Sequence, residues 1–238
     1  MISAILDRTA HLRQDIKRNI VSLKESADLF ADIDEGNGEL MDAAIDAEMA
    51  VKSGYASDIV SRGFHYTTAI QYPFSPENYL QSRFADGTYG VLYGSLEDET
   101  TIFETCYHQL RELRHIKGWT TPLHQERAVY NIHCNAMLCD IRGKQRKFPQ
   151  IISDDYSLTQ AIGKALAKDG FPGIIYPSAR TAGTNVALLN PEVLSNPRLS
   201  YYLSYELDPV SCSVKVERKP GETLVVIEGE KWFSKRKR

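Results

Sequence analysis

The sequence lacks any apolar run long enough to cross a membrane, and its beginning has no secretory leader pattern. A spanning helix needs about 18 to 20 consecutive apolar residues, and no stretch approaches that length. The first residues reach the charged Asp7 before an apolar leader core forms. We therefore expect a cytoplasmic protein that does not associate with membranes.

Paired cysteines are also missing. The four cysteines, Cys106, Cys134, Cys139 and Cys212, form no Cys-x-x-Cys motif and no regular framework. This spacing is typical of reduced thiols in a reducing compartment, and it does not match a zinc site. We expect neither a structural metal nor disulfide bonds.

The chain has no strong charge of either sign. It carries 28 basic and 31 acidic residues, a formal net charge of −3 and a pI near 6.1. Binding to a phosphate backbone needs a basic field that this balance does not supply. We expect no direct contact with nucleic acid.

Ordinary globular composition accompanies these absences. The 238 residues are 42% hydrophobic and 25% charged, with no internal repeat and no low-complexity tract. Disordered and fibrous classes are therefore excluded. A chain of this length has room for one sizeable domain, with or without a small appendage.

The first 60 residues have the periodicity of helices. Apolar residues recur at helical spacing over residues 2–33, a Gly-containing break follows at 34–38, and the pattern resumes over 40–60. This predicts an N-terminal helical hairpin, residues 1–60, ahead of a second unit, residues 61–238. We interpret the hairpin as a packing cap or an oligomerisation element, which leaves a homo-oligomer open.

Strand and helix signals alternate in the remainder of the chain. Aromatic and β-branched runs predict strands, and acids in a first turn followed by apolar residues at helical spacing predict helices. The predicted strands are 64–70, 90–94, 128–139, 173–176, 185–189, 199–207, 213–217 and 223–227; the predicted helices are 97–113 and 157–169. The fold class is α+β, with a mixed β core and flanking helices.

Three residue types with suitable spacing point to a dinucleotide site. Arg83 lies in a turn-rich aromatic loop, Tyr93 in a strand and Glu104 on a helix. Cleavage of a glycosidic bond in a dinucleotide needs a cation for the phosphates, a flat aromatic ring and a carboxylate facing the developing positive charge. One pocket could collect all three.

The motifs around these residues resemble the RES family in order and spacing. They are Ser-Arg-Phe-Ala-Asp-Gly-Thr-Tyr-Gly-Val-Leu-Tyr from 82, Phe-Glu-Thr-Cys-Tyr-His from 103, and Gly-Phe-Pro-Gly-Ile-Ile-Tyr-Pro-Ser-Ala-Arg from 170. The resemblance is strongest over residues 63–190. It implies Glu104 and Arg83 as catalytic residues and a group of substrate-binding residues, namely Tyr93, Ser178, Tyr66 and His65. Arg180, two residues after Ser178, is a further candidate for substrate binding.

The resemblance also implies a function. RES proteins are similar in fold to ADP-ribosyltransferase toxins, and they degrade NAD or transfer ADP-ribose. The family thus implies NAD as substrate, no metal, and an Xre-type antitoxin protein as partner. Water, phosphate or a protein side chain could be the acceptor of the ADP-ribosyl group.

One departure from the family supports an alternative function. The family opens its first strand with an Arg-Tyr pair, whereas this chain has His65 and Tyr66. A neutral histidine cannot hold a phosphate with two parallel hydrogen bonds as arginine does. The alternative is a RES-like module that binds a nucleotide or a partner without turnover.

The polar residues in and near these motifs have alternative roles. Ser178 lies in no Gly-x-Ser-x-Gly elbow, which favours hydrogen bonding over nucleophilic attack. Arg180 could help bind phosphates or lie on the surface.

His108 follows Glu104 by four residues on one helical face, but no third metal ligand is evident, which favours a packing role. A Cys/His pair, with Cys106 or Cys134 as nucleophile and His133 or His108 as base, has no recognisable family spacing.

Overall fold

The centre of the protein is an eight-stranded sheet, seen in a computed structural model that describes residues 2–22 and 67–233. The strands of that sheet lie in the order β1-β4-β7-β6-β5-β8-β9-β10, and β2 and β3 form a small separate hairpin. In chain order the strands are β1 (Thr9–Val21), β2 (Gln81–Ser82), β3 (Ala85–Asp86), β4 (Leu92–Ser95), β5 (Leu123–Asp140), β6 (Gly173–Pro177), β7 (Thr184–Leu188), β8 (Leu194–Asp208), β9 (Ser213–Lys219) and β10 (Glu222–Glu228).

Five of the strands close into a ring, because β1 pairs with both β4 and β5. β1 is antiparallel to β5 along its whole length, and it meets β4 at Lys17 and Ser95. β6 joins β5 in parallel, and β7 connects β6 to β4. Gly94 permits the contact between β1 and β4, since a Cβ there would lie 3.0 Å from Cδ1 of Ile16.

The interior of the ring is one of three apolar cores. Alternate strand residues fill it; they include Leu12, Ile16, Leu92, Ile132, Leu138, Ile175, Val186 and Leu188. Because successive strand residues point to opposite faces, the neighbours of these residues face outward. Tyr93, Tyr176 and Asn185 are therefore presented on the outer face of the ring.

Two long helices cover that outer face. They are α2 (Asp98–His115) and α3 (Ser157–Lys168), while α1 (Ile2–Ile5) and α4 (Glu230–Phe233) are single turns. Asp98 and Glu99 lie in the first turn of α2, where negative charge favours the helix dipole. Short helical turns connect the longer elements at Tyr72–Phe74, Pro76–Asn78, Lys144–Arg146, Pro149–Ile152 and Pro191–Val193.

The last strands support α2 from behind. The apolar face of α2 packs in one core with buried residues of β8, β9 and β10. Phe233 of α4 stacks on Tyr107 of α2, with ring centroids 5.5 Å apart. The C-terminal part of the chain thus fixes the helix that carries Glu104.

The prediction of a helix over residues 2–33 is wrong for residues 9–21, which form β1. Leu12, Ile16 and Ile20 are spaced by four, and that spacing suits one face of a helix as well as one face of a strand. The polar residues Gln14 and Arg18 occupy the intervening positions of the same strand face, so the alternation is hidden. Pairing with β5 decides the outcome. The second predicted helix and the boundary near residue 60 lie outside the described residues.

The strand predicted over residues 64–70 is also wrong where it is described, because Thr67–Gln71 form a single wide helical turn. Ala69 and Ile70 are buried in the ring core, and a short buried apolar run suits a helical turn as well as a strand. The other predicted elements and the α+β core with flanking helices are confirmed. Within residues 2–22 and 67–233, no helix has the length and apolar content to span a bilayer.

Candidate active site

A cavity of about 470 Å³ lies beside α2. Its walls come from α2, β1, β4 and residues 72–83, and Glu104, Arg83, Tyr93 and His108 are among the lining residues. Small-molecule sites commonly have about 300 to 1,000 Å³. The structure therefore brings the three residues that the motif analysis selected to one cavity of suitable size for a nucleotide.

The carboxylate of Glu104 is held through one of its two oxygens. Ser178 Oγ donates a hydrogen bond to Oε1 over 2.6 Å, and Asn185 Nδ2 donates to the same atom over 2.7 Å. Among the described residues, Oε2 has no hydrogen-bond partner. Glu104 thus has a fixed orientation and an oxygen free for a ligand.

Ser178 is buried behind Glu104 and does not line the cavity. Its hydroxyl oxygen accepts the backbone N–H of Arg180 over 3.0 Å and that of Thr181 over 3.1 Å. A serine hydroxyl has one proton, and these two bonds direct it to Glu104. The arrangement suits a positioning residue better than the direct ligand contact that the motif suggested.

Asn185 is the second support of Glu104, and the motif analysis did not select it. Ser95 Oγ donates to Asn185 Oδ1 over 2.7 Å, which turns the amide nitrogen towards Glu104. Asn185 and Ser95 are each 3% exposed. A buried amide in a strand must have partners, so the polar residue inside the apolar β7 run was the available sequence signal.

Arg83 is 9% exposed and partly engaged by the protein. Its Nη1 donates to the carbonyl oxygens of Ile151 and Ser153 over 2.9 and 2.8 Å. Its guanidinium carbon lies 4.7 Å from the centre of the Tyr156 ring. Because Nε and Nη2 make no hydrogen bond within the described residues, Arg83 can present donors to the cavity.

The hydroxyl of Tyr93 joins β4 to the loop that carries Arg83. It accepts the backbone N–H of Phe84 over 2.9 Å and shares a 2.7 Å hydrogen bond with Ser82 Oγ. Burial raises the pKa of Tyr93 to about 12, partly offset by these hydrogen bonds. The hydroxyl is therefore protonated at neutral pH and holds the loop in place.

Helix α3 supports the same loop from the other side. Gln160 Nε2 donates to the carbonyl oxygen of Ser82 over 3.0 Å. A Cβ at Gly163 would lie 1.9 Å from the carbonyl oxygen of Phe84, so only glycine permits this approach. The position of Arg83 thus depends on contacts from both β4 and α3.

His108 lies one turn after Glu104 on α2 and lines the cavity. Burial lowers its pKa to about 4; the charge of Glu104 opposes this shift, and Arg111 and other arginines add to it. The imidazole is therefore neutral at pH 7. Among the described residues, no three His, Cys, Asp or Glu side chains are grouped as a metal site requires.

The cavity is cationic, although the whole chain is slightly acidic. Four arginines and two glutamates line it: Arg18, Arg83, Arg111, Arg127, Glu104 and Glu112. Tyr156 and Tyr176 add aromatic walls. No sequence motif marks Arg18 and Arg127, because long-range strand pairing brings them to the site.

Other predicted site residues lie elsewhere. Arg180 is not part of the cavity wall: it pairs with Asp154 and stacks on the ring of Tyr107, 3.2 Å from the ring centre. Cys106 and Cys134 are buried, and burial raises the pKa of each thiol, which does not suit a nucleophile. His65 and Tyr66 lie outside the described residues.

A comparison with protein-family models identifies the family of the chain. The model of the RES domain matches residues 57–208. The chain belongs to the RES-domain family. β1 precedes the matched part of this RES domain, and β9 and β10 follow it.

The chain is similar to a chain of known structure. It comes from the crystal structure of the M. tuberculosis MbcT–MbcA toxin–antitoxin complex, with 13% sequence identity and a TM-score of 0.46. The similarity covers 88% of this chain and 93% of that one. No curated protein sequence matches the RES domain described here.

Proposed function

We propose that this RES domain binds NAD in the cavity and cleaves the bond between nicotinamide and ribose. The observation that carries the proposal is Glu104, a carboxylate fixed through Oε1 by Ser178 and Asn185, with Oε2 unpaired among the described residues. A preorganised carboxylate stabilises positive charge as it develops on a substrate. The surrounding arginines favour an anionic ligand such as a dinucleotide.

The reaction breaks the bond from ribose C1′ to the nicotinamide nitrogen. The electron pair leaves with nicotinamide, which becomes neutral, and positive charge develops on the ribosyl group. In our proposal Glu104 stabilises that charge and holds the ribose hydroxyls. The acceptor (water, phosphate or a protein side chain) forms the new bond to C1′ and loses its proton.

Binding involves the cationic and aromatic walls. We propose that Arg83 contacts the phosphates through its unpaired N–H groups, and that the ring of Tyr93 packs against nicotinamide. Neutral His108 avoids repulsion of the cationic nicotinamide ring of the substrate. His65 and Tyr66 remain candidate substrate-binding residues on the family resemblance alone, and Arg180 remains one on its position two residues after Ser178.

The test is direct. Purified protein is incubated with NAD between about pH 5 and pH 8, which spans the titration range of histidine, and free nicotinamide is measured by chromatography. We expect release that depends on Glu104. If native protein releases no nicotinamide under any of these conditions, the enzymatic proposal is wrong.

A second candidate function is nucleotide binding without turnover. The sequence observation that favours it is His65, where the family has an arginine. Calorimetry with NAD distinguishes the two: bound NAD recovered intact supports the binding module, whereas recovery as nicotinamide and an ADP-ribosyl product supports the enzyme.

We also propose a toxin role with an Xre-type antitoxin as partner, which rests on the family resemblance. Controlled expression in a bacterial host tests it. We expect growth arrest by the native chain and normal growth with Glu104→Ala at equal protein level. Growth arrest by the native chain and by Glu104→Ala alike would show that toxicity does not depend on Glu104.

A further inference from the structure

Arg18 is a charged residue on the face of β1 that also carries the core residues Leu12 and Ile16. It lies two residues from Ile16 and from Ile20, on the strand face that fills the ring, and opposite Tyr130 of β5. A charged group on a core-facing position costs stability unless it has compensating partners. Such a residue is a candidate for function, since leucine would suit the core better.

The protein satisfies Arg18 only in part. Nη1 donates to the carbonyl oxygen of Ala69 over 2.6 Å. Within the described residues, no carboxylate lies at ion-pair distance from the guanidinium, and Nε and Nη2 make no hydrogen bond. Burial lowers the pKa of Arg18 to about 10, so the group is charged at neutral pH. A partly exposed cation, for which the described residues offer no acidic partner, therefore lines the cavity.

Arg127 shows the contrast. This cavity arginine of β5 uses Nε and Nη2 to hold Asn19 of β1 over 2.7 and 2.9 Å, and Nη1 donates to Gln125. Its donors are thus occupied by the protein, and they anchor the end of β1. Arg127 fixes the strand, whereas Arg18, one residue before Asn19, keeps donors for a ligand.

We propose that Arg18 binds a phosphate of the dinucleotide, so that β1, which lies outside the RES match at 57–208, completes the binding site. The inference rests on the proposed function for the identity of the ligand. A guanidinium donates two parallel hydrogen bonds to a phosphate, and the anion supplies a compensating charge that no described residue provides there. The N-terminal strand is then a determinant of specificity for phosphorylated ligands.

The test measures binding apart from catalysis. ADP-ribose carries the diphosphate and lacks the scissile nicotinamide bond, and nicotinamide riboside carries no phosphate. Calorimetry compares native protein with Arg18→Met, which suits the apolar strand face, and with Arg13→Met, a control on the exposed face of the same strand. A lost charge-assisted hydrogen bond predicts about 10- to 100-fold weaker ADP-ribose binding for Arg18→Met.

Three further comparisons make the result decisive. Arg13→Met should bind ADP-ribose like the native protein, Arg18→Met should leave the affinity for nicotinamide riboside unchanged, and Arg18→Lys should restore part of the ADP-ribose affinity. If Arg18 had a purely structural role, Arg18→Met would weaken the binding of both ligands to the same extent, and Arg18→Lys would not restore ADP-ribose binding. Arg18→Gln, which keeps an N–H donor for Ala69, serves if Arg18→Met does not fold.

The inference and the proposed function can fail separately. Equal ADP-ribose affinity in native protein and in the Arg18 variants, or no ADP-ribose binding by native protein, overturns the role of Arg18. If Arg18→Met releases nicotinamide at the native rate, the proposed enzymatic function is retained and the proposed phosphate contact of Arg18 is rejected. ADP-ribose binding that depends on Arg18, without nicotinamide release, supports Arg18 and rejects the enzyme.

Discussion

Ser178 donates a hydrogen bond of 2.6 Å to Oε1 of Glu104, although the two residues are 74 positions apart in the chain. The serine of the third RES motif thus orients the glutamate of the second. The hydroxyl oxygen of Ser178 accepts hydrogen bonds from two backbone N–H groups, which occupy its lone pairs. The hydroxyl proton of Ser178 is therefore donated to Glu104. A serine outside the cavity thereby sets the orientation of a carboxylate that lines it.

Glu104→Gln should abolish most nicotinamide release. The amide keeps the shape of the side chain but loses the charge that stabilises the ribosyl cation, so we expect a fall in kcat of about 100- to 1,000-fold. Glu99→Gln, in the exposed first turn of α2, is the control and should retain activity. A Glu104→Gln protein with native kcat would remove this residue from the mechanism.

Ser178→Ala should lower kcat more than it raises KM. The change removes one donor to Glu104 and leaves two backbone N–H groups without their acceptor, which costs about 1 to 3 kcal/mol of unfolding free energy. We expect kcat to fall about tenfold or more, as judged by nicotinamide release. Exposed Ser195→Ala is the control. A rise in KM at constant kcat would instead indicate direct substrate contact.

Tyr93→Phe tests the tie between β4 and the Arg83 loop. Loss of the hydroxyl leaves the N–H of Phe84 unpaired, and we expect about 1 to 3 kcal/mol lower unfolding free energy together with a raised KM for NAD. Tyr89→Phe is a matched variant, since its hydroxyl donates to the carbonyl of Phe84 but does not line the cavity. Both should be destabilised, as urea unfolding would show. A similar rise in KM in both would argue against a separate substrate contact of Tyr93.

Gly163→Ala should displace the same loop without touching the cavity directly. The new Cβ would clash with the carbonyl oxygen of Phe84, and overpacking of this kind costs about 1 to 3 kcal/mol. We expect a lower melting temperature and a raised KM for NAD. Ala161→Ser, on the exposed face of α3, is the control. Native stability of Gly163→Ala would show that the loop has room to move.

His108 predicts a specific pH dependence of stability. Its pKa is lowered from 6.5 to about 4 in the folded protein, so the unfolded chain binds the proton first as the pH falls. The unfolding free energy should therefore decrease between about pH 6.5 and pH 4, by about 1 to 3 kcal/mol from this residue.

The unfolding free energies of native protein and of His108→Gln are measured by urea unfolding at about pH 7.5 and about pH 5. These values lie within the range of about pH 5 to 8 in which histidine changes its charge. The glutamine variant should lose less stability on acidification, because it has no proton to bind. His124→Gln, on the exposed end of β5, should behave like the native protein. Equal acid sensitivity of native protein and His108→Gln would mean that His108 is readily protonated in the folded state.

The sequence by itself determined the local features of the protein. Helix α2 follows from acids at its start and apolar residues at helical spacing, and the strands from β4 to β10 follow from their apolar and β-branched runs. The motifs around Arg83, Tyr93 and Glu104 were sufficient to select residues that the fold brings to one cavity. These are local properties, which propensity and periodicity report well.

Only the tertiary structure decided that residues 9–21 form a strand, β1, and which side chains hold Glu104 or line the cavity beside it. Residues four apart fit a helix face and a strand face equally, so pairing with β5 was needed to make residues 9–21 a strand. Asn185 and Arg18 line the cavity because the start of β7 and the end of β1 lie beside α2, far from it in sequence. Long-range strand register sets such contacts, and no local pattern in the sequence records it.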